Sequence, residues 1–147
     1  MADWFPIVVY HNPACGTSRN VVAMIEATGS TPKLIEYLKA GWTVSHLEGL
    51  LAAMGVRPRD VLRDKGTPAT ELGLLDPAVD DAALLAAMVA YPILVNRPIV
   101  ATPKGVRLCR PSERVLGLVD QMPASFTKED GEVVAAVRDG SGGWLPE

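Results

Sequence analysis

The chain has few residues of the types that cross-link small folds or bind metal ions. Its 147 residues include only two cysteines, Cys15 and Cys109, and two histidines, His11 and His46. These four residues show no zinc-type spacing, so the sequence predicts no metal site. A domain of this length buries roughly 68–70% of the surface of its unfolded chain and needs no such cross-link to fold. Both cysteines are therefore expected to be free thiols.

Long apolar runs and an excess of positive charge are also missing. No run approaches the roughly 18 residues of a membrane helix, and the N-terminal residues lack the basic start and cleavage site of a signal peptide. The net charge is −3, whereas general nucleic-acid binders carry a basic excess. With 48% hydrophobic and 21% charged residues, the composition is typical of a soluble globular protein. We expect a single cytoplasmic domain over residues 1–147, with reduced thiols and with no membrane or nucleic-acid partner.

The first part of the chain predicts a β-loop-α-β unit. Phe5 to Tyr10 is short, continuously apolar and β-branched, which favours a strand buried on both faces of a sheet. A helix is predicted from Ser18 until about Gly29, where a glycine can cap its C-terminus. Pro32 to Leu38 is then typical of a second strand, and the crossover between the strands should be right-handed. Apolar residues recur at helical spacing in the predicted helix: Val21, Val22, Met24 and Ile25.

Residues from about 43 to 91 predict a helical insertion between sheet strands. Leu, Ala and helix-start signals dominate there, with little of the β-branched alternation of strands. Ser45 with Glu48 fits a capping box for a first helix that ends at Gly55. Asp80 can cap a later helix, "DAALLAAMVA". Short helical turns are predicted in "PRDVLR" and "ATELGLL".

Strand character returns in the last third of the chain. Ile99 to Thr102, a Pro-Lys-Gly turn and Val106 to Cys109 predict an antiparallel hairpin. An amphipathic helix should begin at Ser112, "FTKED" indicates a further helix start, and a tail over about 139–147 is expected to be poorly ordered. The amphipathic helix should turn four apolar residues inward: Val115, Leu116, Leu118 and Val119.

The order of the predicted elements resembles the thioredoxin fold. It runs β-α-β, helical insertion, β-β-α, which in that fold forms a mixed four-stranded sheet in an α/β domain. Pro98 stands immediately before the third strand, where that fold has a proline that is usually cis and lies beside the active-site loop. The resemblance therefore implies a cis bond before Pro98.

Cys15 lies where the loop "HNPACGT" enters the predicted helix. The first turn of a helix presents unpaired backbone N–H groups and the positive end of the helix dipole, and both favour thiolate over thiol. His11 and Arg19, four residues to either side, can add to this effect. A free cysteine has a pKa of about 8.5, which such surroundings lower to roughly 3.5–7.5. We therefore expect Cys15 to be reactive.

The same N–H groups can bind a tetrahedral oxyanion. A nucleophilic thiolate in an anion site indicates chemistry on phosphate-like oxyanions or on a disulfide with an anionic carrier. The phosphatase spacing C-x-x-x-x-x-R fails, because Val21 stands at the arginine position. The dithiol spacing C-x-x-C fails as well, because Ser18 stands at the second cysteine position. Cys15 therefore has no local resolving thiol.

Six blocks of the sequence resemble the glutaredoxin-coupled arsenate reductases. They occur in that family's order from about residue 7 to residue 132: "YHNPACGTSRN", "VLRDKGTP", "ELGL", "PILVNRPIV", "RLCRPSE" and "FTKEDGE". The first and fourth blocks together are highly specific, whereas C-G-T-S alone is not. The resemblance implies an oxidoreductase of arsenical resistance that converts arsenate to arsenite. It also implies that the enzyme has no bound cofactor and takes its electrons from glutathione, as co-substrate, and from glutaredoxin.

The resemblance also assigns roles to individual residues. It implies that Cys15 is the nucleophile and that His11 lies beside it and favours its thiolate. Three arginines match the oxyanion-binding residues of the family: Arg63, Arg97 and Arg110. Arginine suits this role because its planar fork of donors stays charged and matches tetrahedral oxyanions. Backbone N–H groups at the helix start complete the expected binding site, at Gly16, Thr17 and Ser18.

Two alternative functions stay open at this point. An Spx-like transcription regulator that binds RNA polymerase would share the fold and its helical insertion, but such regulators typically carry C-x-x-C. A glutathione-dependent thiol oxidoreductase that acts on a glutathione mixed disulfide is the other alternative. Cys109 is expected to be a buried structural cysteine on a sheet face, and His46 an exposed residue at a helix start.

Overall fold

The computed structural model describes residues 7–119, 125–138 and 144–146 of the chain. The chain divides into two compact units, residues 1–36 with 97–147 and residues 37–96. The second unit contains the helical insertion that was predicted over about 43–91. Within the described ranges, no helix is both long and apolar enough to cross a membrane. The folding of residues 1–147 as a single domain stays a prediction.

A mixed four-stranded sheet forms the centre of the first unit. Its strands are β1 (Val8–His11), β2 (Lys33–Glu36), β3 (Ile99–Thr102) and β4 (Gly105–Leu108), in the order β2-β1-β3-β4. Strand β1 runs parallel to β2 and antiparallel to β3, and β4 runs antiparallel to β3. This topology confirms the predicted thioredoxin-like α/β sheet.

The first helix begins earlier than the sequence predicts. Helix α1 (Gly16–Glu26) has Cys15 as its N-cap residue, so it begins two residues before Ser18. Gly29 lies in the turn that follows the helix, with a φ of +89°. The cysteine is therefore at the helix terminus itself, where the unpaired N–H groups of the first turn are concentrated.

The second strand is shorter than predicted. Strand β2 ends at Glu36, whereas the apolar pattern continued to Leu38, because residues Tyr37–Ala40 turn into a short helix, α2. The first strand was predicted from Phe5, which lies outside the described residues. The described part of that strand extends one residue further than predicted, to His11.

The core of the first unit lies between the sheet, α1 and a 3₁₀ helix (Ser112–Leu118). This 3₁₀ helix begins at Ser112, as predicted for the amphipathic helix, and Pro111 is its N-cap residue. The four residues predicted to point inward are all 2% exposed or less: Val115, Leu116, Leu118 and Val119. Burying an apolar side chain of this size contributes about 1.5–3 kcal/mol. The side chains that hold α1 against the sheet are Val21, Met24, Ile25, Val9 and Val100.

The prediction of a helix start at "FTKED" is wrong. Ser125–Thr127 is a strand, β5, which pairs antiparallel with β6 (Val133–Arg138). Residues 128–131 form the turn between them, in which the Gly131 N–H donates to the Lys128 carbonyl at 3.0 Å and Gly131 has a φ of +92°. Glycine adopts this left-handed conformation readily, so the chain reverses there instead of continuing as a helix.

The predicted tail lies mostly outside the described residues. Its described part, Trp144–Pro146, is a strand, β7, that pairs antiparallel with β6. Strands β5, β6 and β7 together make a three-stranded sheet. Strand β6 contains the apolar run "VVAAV", which is typical of a strand although no strand was predicted there.

The second unit is mainly helical, as predicted. After α2 it contains α3 (Val44–Met54), a 3₁₀ helix (Pro58–Val61), α4 (Asp81–Ala90) and a second 3₁₀ helix (Pro92–Leu94). The first 3₁₀ helix confirms the turn predicted in "PRDVLR". Asp80 caps α4, since its carboxylate accepts from the Ala83 N–H at 2.8 Å, and Gly55 ends α3 at a φ of +70°.

The cap predicted for α3 is wrong, whereas a turn is found in "ATELGLL". Thr43, and not Ser45 with Glu48, caps α3: its Oγ1 accepts from the His46 N–H at 3.1 Å, because the helix begins two residues earlier. The segment "ATELGLL" forms turns, in which the Leu72 N–H donates to the Pro68 carbonyl at 3.0 Å. Gly73, with a φ of +69°, closes it after one turn.

Candidate active site

Cys15 stands at the junction of the β1–α1 loop and α1, in extended backbone conformation. The loop is held by Asn12, whose carbonyl accepts from the Cys15 N–H at 3.0 Å and whose side-chain oxygen accepts from the Ala14 N–H at 3.0 Å. The Arg19 N–H then donates to the Cys15 carbonyl and begins the helix. The N–H groups of the first turn have no acceptor within the helix, which makes them available to an anion: those of Gly16, Thr17 and Ser18.

Two of the three predicted arginines lie at the cysteine. Arg97 lies two residues before β3 and Arg110 two residues after β4, so the antiparallel hairpin brings both to the same end of the sheet. Arg110 Nη1 is 3.7 Å from Cys15 Sγ and also donates to the Arg97 carbonyl at 3.0 Å. The bond between Arg97 and Pro98 is cis, as the resemblance implied, and so is the bond before Pro111.

These groups favour the thiolate form of Cys15. Burial raises the pKa of Cys15, whose side chain is only 6% exposed. The backbone N–H of Ser18, the charge of Arg97 and the contact with Arg110 lower it by more, so the pKa of Cys15 lies below its ordinary value. A lower pKa increases the fraction of thiolate near neutral pH, and the thiolate is the nucleophilic form.

His11 reaches the site through Ser18. Its Nδ1 and the Ser18 Oγ are 2.6 Å apart and share a hydrogen bond, and the same Oγ accepts from the Asn12 N–H at 3.1 Å. Burial lowers the pKa of His11, Glu36 raises it and Arg19 lowers it, with a net lowering. The imidazole is therefore expected to be neutral near pH 7. His11 thus supports Ser18, whose N–H faces the sulfur of Cys15. It supplies no positive charge to the site.

Arg19 is tied to a residue that the sequence analysis did not single out. Its guanidinium forms a two-pronged ion pair with Glu129, with Nε to Oε2 at 2.8 Å and Nη2 to Oε1 at 3.0 Å. Its Nη1 donates to the Pro13 carbonyl at 2.8 Å. The only sequence signal for Glu129 was its position in the block "FTKEDGE", which had been interpreted as a helix start.

Three other residues were singled out in the sequence: Arg63, Cys109 and His46. Arg63 belongs to the second unit, where its N–H donates to the Leu94 carbonyl at 2.8 Å, and its assignment to the oxyanion stays a prediction. Cys109 is fully buried, and burial raises its pKa to about 12 despite the nearby Arg107 and Arg114, as expected for an unreactive structural thiol. His46 is exposed on α3. Over the part of the chain that the structure describes, no group of three or more His, Cys, Asp or Glu residues could hold a metal ion.

Comparison with known proteins bears on this site. A family model, described as ArsC family, matches residues 10–118. A protein named arsenate reductase ArsI2 from Synechocystis sp. is 62% identical over 129 residues, which cover 87% of this chain and 92% of that protein. The arsenate reductase of Escherichia coli strain K12 is 50% identical over 129 residues, with coverage of 87% and 92%. A solved structure described as arsenate reductase from Vibrio cholerae has a TM-score of 0.74 and 38% identity, over 78% of this chain and 98% of that one.

Proposed function

The chain belongs to the ArsC family, and from this premise we propose that it is an arsenate reductase with Cys15 as its nucleophile. The observation that carries the proposal is the contact of Arg110 with a cysteine whose pKa is lowered at a helix N-terminus. That arrangement combines a nucleophile with donors for a tetrahedral oxyanion. Relatives named arsenate reductase at 50–62% identity support the choice of arsenate.

Arsenate would bind at the start of α1. The N–H groups of the first helical turn, at Gly16, Thr17 and Ser18, can donate to its oxygens, and the helix dipole favours its negative charge. Arg97 and Arg110 supply fixed positive charges at the same end of the sheet, and Arg110 can still offer nitrogens other than its Nη1. Arg63 is proposed as a third ligand on the resemblance alone, and a raised KM for arsenate in Arg63→Ala would test it.

The first chemical step is attack of the Cys15 thiolate on arsenic. A sulfur–arsenic bond forms, one arsenic–oxygen bond breaks, and that oxygen leaves as water after taking up protons from solvent. Arsenic is still pentavalent in this adduct. The arginine charges and the N–H groups stabilise the negative charge on the remaining oxygens while the bonds rearrange.

Reduction requires two electrons from outside the chain. Ser18 occupies the position where a C-x-x-C motif would place a resolving thiol, and Cys109 is fully buried. Glutathione thiolate attacks the Cys15 sulfur, so that a disulfide forms and the sulfur–arsenic electron pair goes to arsenic, which leaves as arsenite. Glutaredoxin thiolate then attacks the mixed disulfide, takes over the glutathionyl group and regenerates the Cys15 thiolate.

His11 and Ser18 have a supporting part in this proposal. Because a neutral His11 shares a hydrogen bond with the Ser18 hydroxyl, it fixes the residue whose N–H stabilises the thiolate. This arrangement holds the N–H of Ser18 toward the sulfur of Cys15. A cytoplasmic location agrees with this chemistry, because glutathione keeps thiols reduced there.

Steady-state turnover tests the proposal. The purified protein should oxidise glutathione over repeated turnovers only when arsenate and glutaredoxin are both present, and arsenite should accumulate in proportion. Cys15→Ser should abolish this activity, whereas Cys109→Ala, the matched change at the other cysteine, should retain it. Activity that survives in Cys15→Ser would disprove the assignment of the nucleophile.

The two alternative functions predict other results. An Spx-like regulator would bind RNA polymerase and show no arsenate-dependent turnover. Neither the relatives' names nor Ser18, which stands at the second cysteine position of C-x-x-C, favours this function. A thiol oxidoreductase for other glutathione mixed disulfides would turn over a glutathionylated peptide faster than arsenate. Comparing the two substrates at equal concentrations of glutathione and glutaredoxin separates these functions.

A further inference from the structure

The turn between β5 and β6, residues 128–131, is fastened to the loop that carries Cys15. Arg19 makes the connection: its Nε and Nη2 bind the two carboxylate oxygens of Glu129, at 2.8 and 3.0 Å, while its Nη1 donates to the Pro13 carbonyl at 2.8 Å. The guanidinium thus joins the two segments. Glu129 lies 110 residues from Arg19 in sequence and beyond the matched family residues 10–118.

Two further contacts hold this turn in place. The Glu129 N–H donates to the Asn20 side-chain oxygen at 3.0 Å, so Glu129 contacts α1 through its backbone as well as its carboxylate. The Lys128 ammonium forms ion pairs with Glu132 at 2.9 Å and with Glu113 of the 3₁₀ helix, and the Lys128 side chain is only 10% exposed. The carboxylate of Glu129 is therefore presented to Arg19 from a fixed turn.

We propose that Glu129 is a positioning residue for Cys15, acting through Arg19 on the carbonyl of Pro13. The hairpin of β5 and β6 is then a part of the active site's support. The loop geometry sets the distance from the sulfur to the Ser18 N–H and to Arg110, the groups that favour the thiolate. Only the catalytic consequence of this proposal rests on the proposed function; the effect on the thiol does not.

Removal of the Glu129 carboxylate can change the Cys15 pKa by loosening the loop or by changing the local charge. The direction of the pKa change distinguishes these two effects. Removing the carboxylate of Glu129 leaves the positive charge of Arg19 uncompensated, and charge alone would then lower the pKa of Cys15. A loosened loop would instead move the sulfur away from the Ser18 N–H and Arg110, which would raise that pKa. Positioning therefore predicts a raised pKa in Glu129→Gln.

The test compares Glu129→Gln with Asp130→Asn, which removes one negative charge from the next residue of the same turn. The rate of Cys15 alkylation by iodoacetamide is measured against pH, with the modified residue located by mass spectrometry. We expect a higher Cys15 pKa in Glu129→Gln and a fall in kcat/KM for arsenate of about two- to fivefold, the range of an exposed ion pair. Asp130→Asn should match the wild type in both. An unchanged or lowered Cys15 pKa in Glu129→Gln would overturn the proposal.

A double variant tests whether Glu129 acts through Arg19. Cys15 of the double variant Arg19→Gln/Glu129→Gln should be alkylated no more slowly than Cys15 of Arg19→Gln alone. The reason is that Arg19→Gln already removes the link between Glu129 and the Pro13 carbonyl. A double variant that is alkylated more slowly than Arg19→Gln, with the two losses adding, would contradict a route through Arg19. The thermal unfolding transition of Glu129→Gln should match that of the wild type, and its loss would show that Glu129 supports the whole fold and not the loop alone. The alkylation measurements need no arsenate, so a chain that failed to reduce arsenate would still decide this question.

Discussion

Arg110 Nη1 lies 3.7 Å from Cys15 Sγ, and the two residues are 95 positions apart in the sequence. The same nitrogen donates to the carbonyl of Arg97, and this hydrogen bond fixes the guanidinium beside the sulfur. This relationship places a fixed positive charge at the end of α1, where the helix dipole also favours negative charge. The site is therefore arranged for a thiolate and an oxyanion together.

Replacing Arg110 by alanine should impair both the thiolate and the binding of the oxyanion. Loss of a hydrogen bond to a charged group costs about 1.5–3 kcal/mol, so kcat/KM for arsenate should fall by about 10- to 100-fold. The Cys15 pKa, measured by the pH dependence of alkylation, should rise. Arg110→Lys is the matched control. Its Cys15 pKa should return most of the way to the wild-type value, because a positive charge alone lowers that pKa. Its kcat/KM should stay low, because lysine lacks the planar fork of donors. Equal recovery of both would contradict a specific role for the guanidinium.

Ser18→Ala should destabilise the protein and raise the Cys15 pKa. The substitution leaves the Asn12 N–H and the His11 Nδ1 without their shared partner in a buried site. An unsatisfied buried polar group costs about 1–3 kcal/mol, which denaturant unfolding at pH 7 can measure. Ser18→Thr keeps the hydroxyl and should lose less. A stability of Ser18→Ala equal to that of the wild type would show that the network contributes nothing.

Cys109 should make the protein less stable at alkaline pH. Burial raises its pKa from an ordinary value of 9.0 to about 12, so the folded state keeps a proton that the unfolded state releases. The buried thiol makes its full contribution to the free energy of unfolding below the pKa that Cys109 has in the unfolded state. This contribution is lost as the pH rises from about 9 to about 12. The unfolding free energy of Cys109→Ala should therefore fall less steeply over that range than that of the wild type. Unfolding free energies of the two proteins that fall in parallel over this pH range would contradict the raised pKa of Cys109.

The cap of α3 can be tested with two neighbouring hydroxyl residues. Thr43→Ala removes the side chain that accepts from the His46 N–H, and an N-cap of this kind is worth about 1 kcal/mol. Ser45→Ala should leave the unfolding free energy almost unchanged, because Ser45 lies inside the helix. The opposite order of effects would restore the capping box that the sequence suggested.

The parts of this site that were predictable depend on local patterns. Cys15 follows a strand and precedes a helical repeat, so its place at a helix start could be predicted from neighbouring residues alone. The nearness of Arg97 to Arg110 follows from the predicted hairpin, because antiparallel register brings the residues that flank its two strands to one end.

The parts that were missed depend on contacts that no short pattern encodes. The pairing of Arg19 with Glu129 joins segments 110 residues apart, and "FTKED" carries the same residue types as a helix start until Gly131 reverses the chain. Thr43 and Ser45 are both good caps, and only the backbone geometry at Thr43 decides between them. Tertiary context decided each of these cases.

A single-turnover reaction tests the central claim most directly. Reduced protein is mixed with arsenate and glutathione in the absence of glutaredoxin, and both the arsenite formed and the modified residue are determined by mass spectrometry. The account predicts arsenite in equal amount to protein and a glutathione disulfide on Cys15, since the glutaredoxin that resolves this disulfide is absent. Arsenite formed while Cys15 stays unmodified, or formed equally by Cys15→Ser, would contradict it.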